Sequence, residues 1–453
     1  MTYRLPRSVR QGALVIPLLM ALVVAAWSIG QASAATPSTK KAGVVRAALA
    51  PGKINHIIVI DLENKGFETT FGPGSVATYL NGTLRKRGEL IKNYYAIGHV
   101  SLDNYIAQVS GQAPNQTTQV DCLPNGAAFV DVVPGTADPN QKANPGQVDG
   151  QGCVYPTQVQ TIASQLDVKY PPNPQTHVAA WRGYDQDMGN DPAQDGGTPD
   201  PTGGTTCAHP PIGSPTVLGE MPTDQYATRH NPFVWFHSVI DNKALCDANV
   251  VPLGTLTADG KPSPTGHLAM DLSKVSTTPR FAFITPNVCN DAHDATCVGT
   301  NSVGGRTGGL AAADLFLQHW MPLILSSPAY KEGDTLVVIT FDEADVTPAT
   351  DPAYAAACCN EQPGPNTQAP GSAGAATDTA PGGGQVGALL LNTKYIRAGS
   401  TDTTGSYNHY SALRSYEDLL GLTTGGTDGY GHLGFAAASG LRPFGRDVFN
   451  KSS

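Results

Sequence analysis

The sequence predicts an α/β sandwich of three layers around a mostly parallel sheet, and three observations carry that expectation. Apolar runs of strand length alternate with stretches of helical spacing along the chain. Two of the runs, Ile57-Ile58-Val59-Ile60 and Leu336-Val337-Val338-Ile339, are continuous in apolarity, as strands buried on both faces are. Several runs end abruptly in acids, amides or histidine, and in open α/β sheets the carboxyl ends of the strands are where ligands bind.

The chain has 453 residues, enough for one large domain or two ordinary ones. Its 28 Lys+Arg against 37 Asp+Glu give a formal net charge of −9, which argues against a nucleic-acid partner, since such proteins show a basic face. Charged residues are only 14%, with 50 Gly and 36 Pro, so a compact protein rich in ordered loops is expected.

Residues 1–34 read as a secretory signal. Arg4, Arg7 and Arg10 precede a mostly apolar run over residues 13–27, and Ala32-Ser33-Ala34 supplies small residues for cleavage near Ala34. The apolar run is short for a membrane span, so a secreted mature form without a stable span is expected, an uncleaved anchor being the alternative. Residues 35–52 follow as a flexible leader, and 53–450 as the main domain. Eight cysteines in an exported chain favour disulfides over zinc. Cys289 and Cys297 enclose a short loop and form the best-supported pair, and Cys122 and Cys153 are placed to staple a long loop. The adjacent Cys358 and Cys359 are expected to take different partners, because a bridge between neighbours is strained.

In chain order, the first strand is the Ile57 run, ending in Glu63-Asn64. Val76, Tyr79, Leu80 and Leu84 have helical spacing and predict a helix over 76–88. His99-Val100-Ser101-Leu102-Asp103-Asn104-Tyr105 precedes a helical stretch reaching Ser110. A serine just before a helix is ordinarily an N-cap; the same position also aims backbone N–H groups at an anion and suits a nucleophile attacking phosphate. Residues 161–168 read as a helix, 177–181 as a short strand, and 231–236 as a segment packed near the sheet edge. Phe281-Ala282-Phe283-Ile284 is a strand leading into Asp291 and His293. Residues 310–325 form a helix before the Leu336 strand, which ends in Asp342-Glu343. Residues 344–384 resemble a Gly/Ala-rich surface insert. The strand over 386–391 and the helix over 410–420, just after His409, complete the pattern.

Four strand ends therefore carry Glu63-Asn64, His99/Ser101/Asn104, Asp291/His293 and Asp342-Glu343, with His409 on a fifth segment. Each is weak alone; convergence at one sheet edge makes them a candidate site. The oxygen-rich set favours a hard divalent cation such as Mg²⁺, Ca²⁺ or Mn²⁺, while histidine participation keeps Zn²⁺ or Fe open.

These same residues carry a resemblance. Glu63-Asn64, His99-x-Ser101-Leu102-x-Asn104-Tyr105, Arg229-His230-Asn231-Pro232-Phe233, Asn287-x-Cys289-Asn290-Asp291-x-His293-Asp294, Asp342-Glu343, and His409-Tyr410-Ser411 with Glu417-Asp418-Leu419 resemble the motifs of the bacterial phosphoesterase family of acid phosphatases and phospholipases C, in the alkaline phosphatase superfamily. The match runs from about residue 54 to 420 and is nearest the secreted acid phosphatase and phosphatidylinositol-phosphatase branch. It implies an alkaline-phosphatase-like sandwich and metal-assisted hydrolysis of phosphate esters. By position, Glu63, Asn64, Asp342 and Glu343 would be metal ligands or their immediate shell. Ser101 would be the nucleophile, with Asn104 beside it, and His293 and His409 would bind phosphate, complete the metal site or protonate the leaving alkoxide. Two departures bear on the transfer: Asp103 stands where Pro is usual, and the 344–384 segment is rich in Ala and Gly.

The function expected is a secreted metal-dependent phosphomonoesterase acting on a phosphorylated small molecule, phosphoinositide or phospholipid through a serine nucleophile. A phospholipase C or other phosphodiesterase is the alternative, and a non-enzymatic exported binding protein with a structural cation is the second. The nucleophile region lacks the Cys-x-Pro-x-Arg pattern expected of a sulfatase.

Overall fold

The computed structural model describes residues 45–122, 129–135, 144–172, 179–216, 221–256, 266–294, 296–299, 303–345, 354, 356–365, 367 and 382–451. The signal segment expected at 1–34, most of the leader, most of the 344–384 insert and the first residues of the strand expected at 177–181 lie outside the described residues.

Eight strands form one sheet: β1 His56–Leu62, β2 Glu89–Ile91, β3 Trp181–Asp185, β4 Val250–Pro252, β5 Phe281–Thr285, β6 Thr335–Phe341, β7 Ala388–Leu391 and β8 Ser400–Asp402. Their order is β8-β2-β7-β6-β1-β5-β3-β4. β1 pairs in parallel with both β5 and β6, β5 with β3, β3 with β4, and β8 with β2; β7 runs against both its neighbours. The fold is thus α/β with a mostly parallel central sheet. Every residue of β1 and of β6 is buried, so both faces of the sheet are covered, as their unbroken apolar runs require.

Register decides what lies on each face. Val59 sits opposite Phe283, so Ile57, Val59 and Asp61 share a face with Phe281 and Phe283. On that face Phe283 meets Tyr105 with ring centroids 5.9 Å apart, and Phe281 meets Tyr416 at 5.8 Å. These tyrosines belong to helices α1 Ser101–Ser110 and α4 His409–Leu420. Both helices are buried at every position, so their polar side chains must find partners inside the molecule. Between them in the chain come α2 Ile162–Lys169, started by a Thr161–Ser164 capping box, and α3 Gly309–Ser326.

Three expectations change. The helix predicted over 76–88 is a π-helical stretch, Leu80–Leu84, continued by a 3₁₀ turn, Arg85–Arg87. The Asp314 carboxylate accepts the N–H groups of Tyr79 and Leu80, each at 2.8 Å, and so sets the start past Val76, which is exposed. The segment before His99 is not an end of the main sheet. Tyr94–Tyr95 pairs instead with Tyr407–Asn408 in a separate two-stranded parallel ribbon. Finally, Cys358 and Cys359 bridge each other, because the other six cysteines close in pairs, Cys122–Cys153, Cys207–Cys246 and Cys289–Cys297, each over its own loop.

Candidate active site

The carboxyl ends of β1, β5 and β6 are tied together by main-chain bonds. Glu63 N–H donates to the Asp291 carbonyl (2.7 Å) and Asp342 N–H to the Leu62 carbonyl (2.8 Å). Asn64 turns the chain sharply in the left-handed region, φ 46°, which Asn tolerates better than most residues, and its N–H donates to Asp342 Oδ1 at 3.0 Å. Three acids are thereby brought to one fully buried point.

Glu63 is the hub. Ser101 Oγ donates to its Oε2 (2.8 Å) and Tyr105 Oη to its Oε1 (2.5 Å). His230 Nδ1 stands 3.6 Å from Glu63 Oε1 and 3.5 Å from Asp291 Oδ2. Ligand-capable atoms of Glu63, His230 and Asp291 all lie within 4.8 Å of one another. Around them, both ring nitrogens of His230, Asp291 Oδ2, Asp342 Oδ2 and Asn64 Oδ1 are buried without a hydrogen-bond partner. Buried polar atoms are nearly always paired, so orphans on two of the three clustered residues, His230 and Asp291, call for a ligand. Carboxylate and amide oxygens with one neutral imidazole fit a divalent cation.

Electrostatics agree. Burial, followed by the neighbouring charges of Asp342 and Asp291, drives Glu63 well above the usual carboxylate range. Burial likewise lifts Asp291 to about 7 and Asp342 to about 6. Burial, then Arg229 and His293, holds His230 well below its ordinary value, so the ring is neutral and one of its nitrogens is free to ligate.

The predicted residues divide. Glu63, Asn64, Asp342 and Ser101 meet at this point. Ser101 is the first residue of α1, the N-cap is Val100 with no side-chain bond, and the hydroxyl therefore serves Glu63 rather than the helix end. Glu343 turns to His99 instead, Oε2 to Nδ1 2.6 Å, while His99 Nε2 meets the Tyr354 carbonyl at 2.6 Å. Burial lowers His99 to about 4 and raises Glu343 well above its usual range. Asn104 braces the turn before α1: its Oδ1 accepts from Ile97 and Gly98 N–H, and its Nδ2 donates to the Gly98 and Val100 carbonyls. His409 is fully buried, with Nε2 on the Asp342 carbonyl (2.7 Å) and Nδ1 facing Tyr94 Oη (3.2 Å), and so braces the Asp342 main chain. His293 is on the open side, its side chain 34% exposed and bonded through Nδ1 to Asp294 Oδ1 at 2.5 Å. The anion at the amino end of α1 is Asp121, whose Oδ1 accepts from Leu102 N–H (2.9 Å) and whose Oδ2 lies 3.8 Å from Arg229 Nε.

His230 and Tyr105 were not marked by strand-end reasoning, and Asp291 was marked without a role. His230 sits on a 3₁₀ turn, Thr228–His230, with no strand leading to it. The signal for both lay only inside longer motifs.

Residues 75–423 match the Phosphoesterase family. The chain belongs to that family. A phosphate-repressible acid phosphatase of Penicillium chrysogenum is 28% identical over 291 residues, 64% of this chain and 48% of that protein. An acid phosphatase of Aspergillus fumigatus is 25% identical over 260 residues, 57% of this chain and 39% of that one. The chain thus spans about half or less of the length of these relatives. Among solved structures, an alkaline phosphatase superfamily protein of Vibrio parahaemolyticus aligns at TM-score 0.40 and 12% identity, covering 83% of this chain and 69% of that one.

Proposed function

We propose that this Phosphoesterase family member hydrolyses phosphate monoesters, with Ser101 as nucleophile beside a divalent cation held by Glu63, His230 and Asp291, with Asn64 and Asp342 adjoining. The observation that carries the reading is the Ser101 hydroxyl bonded to Glu63 at the edge of a cluster of orphaned ligand atoms. Acid phosphatases among the relatives support a phosphoric ester as substrate. When bound, the cation would supply positive charge to the non-bridging oxygens.

The chain's own residues would do the rest. Ser101 Oγ attacks phosphorus, forming an O–P bond as the bond to the leaving oxygen breaks; the hydroxyl proton already points to Glu63 Oε2. Arg229, beside Asp121, and His293, on the open side, would hold the phosphate. Burial opposes protonation of His293, but its bond to Asp294 and the charge of Asp291 outweigh that and raise its pKa, which suits a donor to the departing alkoxide. Water then cleaves the phosphoseryl group. His409 and Asn104 would hold Asp342 and the nucleophile turn in place.

Export is part of the proposal: it rests on the basic start, apolar run and Ala-Ser-Ala of residues 1–34, and four disulfides suit an oxidising compartment. Among the described residues no helix is long and apolar enough to cross a membrane.

The test is hydrolysis of an aryl phosphate monoester from pH 4 to 9, with and without chelator, for wild type and Ser101→Ala. Chelator-sensitive turnover that falls at least about 10³-fold in Ser101→Ala, with melting unchanged, is expected. Undiminished turnover in Ser101→Ala moves the nucleophile elsewhere. Turnover on a diester such as phosphatidylcholine but not on the monoester would replace the reading with a phospholipase C, and cation-dependent melting without turnover on either would replace it with a binding protein.

A further inference from the structure

Helix α1 is buried at every position, yet one stripe of it is polar. Ser101, Tyr105 and Gln108 stand at i, i+4 and i+7, which places them on one face of a helix. All three donate to acids of β1 and its end: Ser101 to Glu63 Oε2 (2.8 Å), Tyr105 to Glu63 Oε1 (2.5 Å), and Gln108 to Asp61 Oδ2 (2.5 Å). Asp61 and Glu63 are two residues apart and so point the same way. Ser101 is taken up by the proposed chemistry and Gln108 holds an acid one step back from the site. Tyr105 has no part in the reaction and touches two of the three candidate ligands. Its hydroxyl fixes Glu63, and its ring lies nearly parallel to that of His230, centroids 5.5 Å apart and planes 8° apart. Phe283 packs on the other contact of the same ring, centroids 5.9 Å apart and tilted 54°, which anchors the tyrosine to the sheet.

We infer that Tyr105 is the positioning residue of the cation site, setting the Glu63 carboxylate by its hydrogen bond and the His230 ring plane by stacking, so that cation affinity is decided from α1. The inference rests on the cation reading of Glu63, His230 and Asp291. Its physical basis is that a ligand held in one orientation before binding loses less freedom on binding. Groups that orient metal ligands through a hydrogen bond change affinity by about 10–100-fold when removed.

Two substitutions separate the two contacts. Tyr105→Phe removes the donor and keeps the ring; Tyr105→Leu removes both. The full chain, stripped with chelator, is titrated calorimetrically with Mn²⁺ and with Zn²⁺, and its melting is recorded without cation. Tyr105→Phe should bind about 10-fold more weakly or worse, and Tyr105→Leu more weakly again. Ile106→Ala, a buried truncation on the same helix away from the polar stripe, controls for simple loosening of α1. Equal affinity in Tyr105→Phe and wild type overturns the assignment. So does a loss in Ile106→Ala as large as that in Tyr105→Phe at matched melting temperature, since the effect would then be helix stability. A wild type that binds neither ion while still turning over phosphate overturns the cation reading, and the role of Tyr105 with it.

Discussion

His230 has the strongest claim to a ligand of any side chain at the site. An imidazole that is 2% exposed and bonded through neither nitrogen leaves buried polar atoms unsatisfied, at about 1–3 kcal/mol each. Removing it should therefore cost the cation-free protein little, and His230→Ala should melt within a few degrees of wild type when chelator is present. The cation should tell the two apart. At 100 times Kd a ligand adds about 2.7 kcal/mol, so wild type should gain several degrees with saturating Mn²⁺ and His230→Ala should gain almost nothing. An equal gain in both, read by thermal melting, removes His230 from the site. The residue also shows what a sequence hides. Glu63, Asn64 and Asp342 were legible because an apolar run stops at them and strand ends converge. His230 follows a turn, and only its burial beside two acids gives it meaning. Ser101 was legible as one of two things, cap or nucleophile, and the choice needed the position of Glu63.

The element that shapes the site is α1 together with the turn that launches it. Asn104 reaches back over that turn with four hydrogen bonds, two accepted from N–H groups and two donated to carbonyls. Asn104→Ala removes all four bonds and should cost about 2–6 kcal/mol at roughly 0.5–1.5 kcal/mol per bond. It should also let Ser101 drift from Glu63, so turnover and melting temperature should fall together. Ser101→Ala should lower turnover alone. If Asn104→Ala kept its melting temperature while losing activity, Asn104 would belong among the groups that touch substrate. Elements were legible where burial is two-sided or periodicity long. β1, β5, β6 and α4 fall within a residue or two of where apolar runs and spacing predict them, and α2 starts at the threonine that caps it. The three-residue strands β2, β4 and β8 carry too few side chains for a period, and the shortened helix near Leu80 is set by Asp314, far away in sequence.

At the scale of the molecule, the order of strands was not legible, because pairing β1 between β5 and β6 joins residues more than 200 apart and no local signal records it. The same long-range packing buries ionisable groups outside the candidate ligand set, and their shifts fix how stability should vary with pH. Burial raises Asp195 to about 9, with Asp224 adding to the effect, Glu361 to about 8 and Asp167 to about 6. A carboxyl whose pKa is higher folded than unfolded holds its proton in the folded state, so its contribution is full below about pH 4 and is lost as pH rises through the folded value. Burial lowers His99 and His409 to about 4. These rings stay neutral when folded but take a proton when unfolded, so their contribution is lost as pH falls from about 6.5 towards 4. With three such carboxyls against two such histidines, the maximum for the chelator-treated protein falls at the acid end, near about pH 4, with melting declining by several degrees towards pH 9. Asp195→Asn should flatten part of that alkaline decline, because an amide accepts the Gly189 N–H as the acid does, at 2.6 Å, and has no proton to lose. A melting temperature that climbs steadily from pH 5 to 9, or an Asp195→Asn curve parallel to wild type, would show that Asp195 is ionised in the folded protein and that a cation or a basic group from elsewhere offsets its charge.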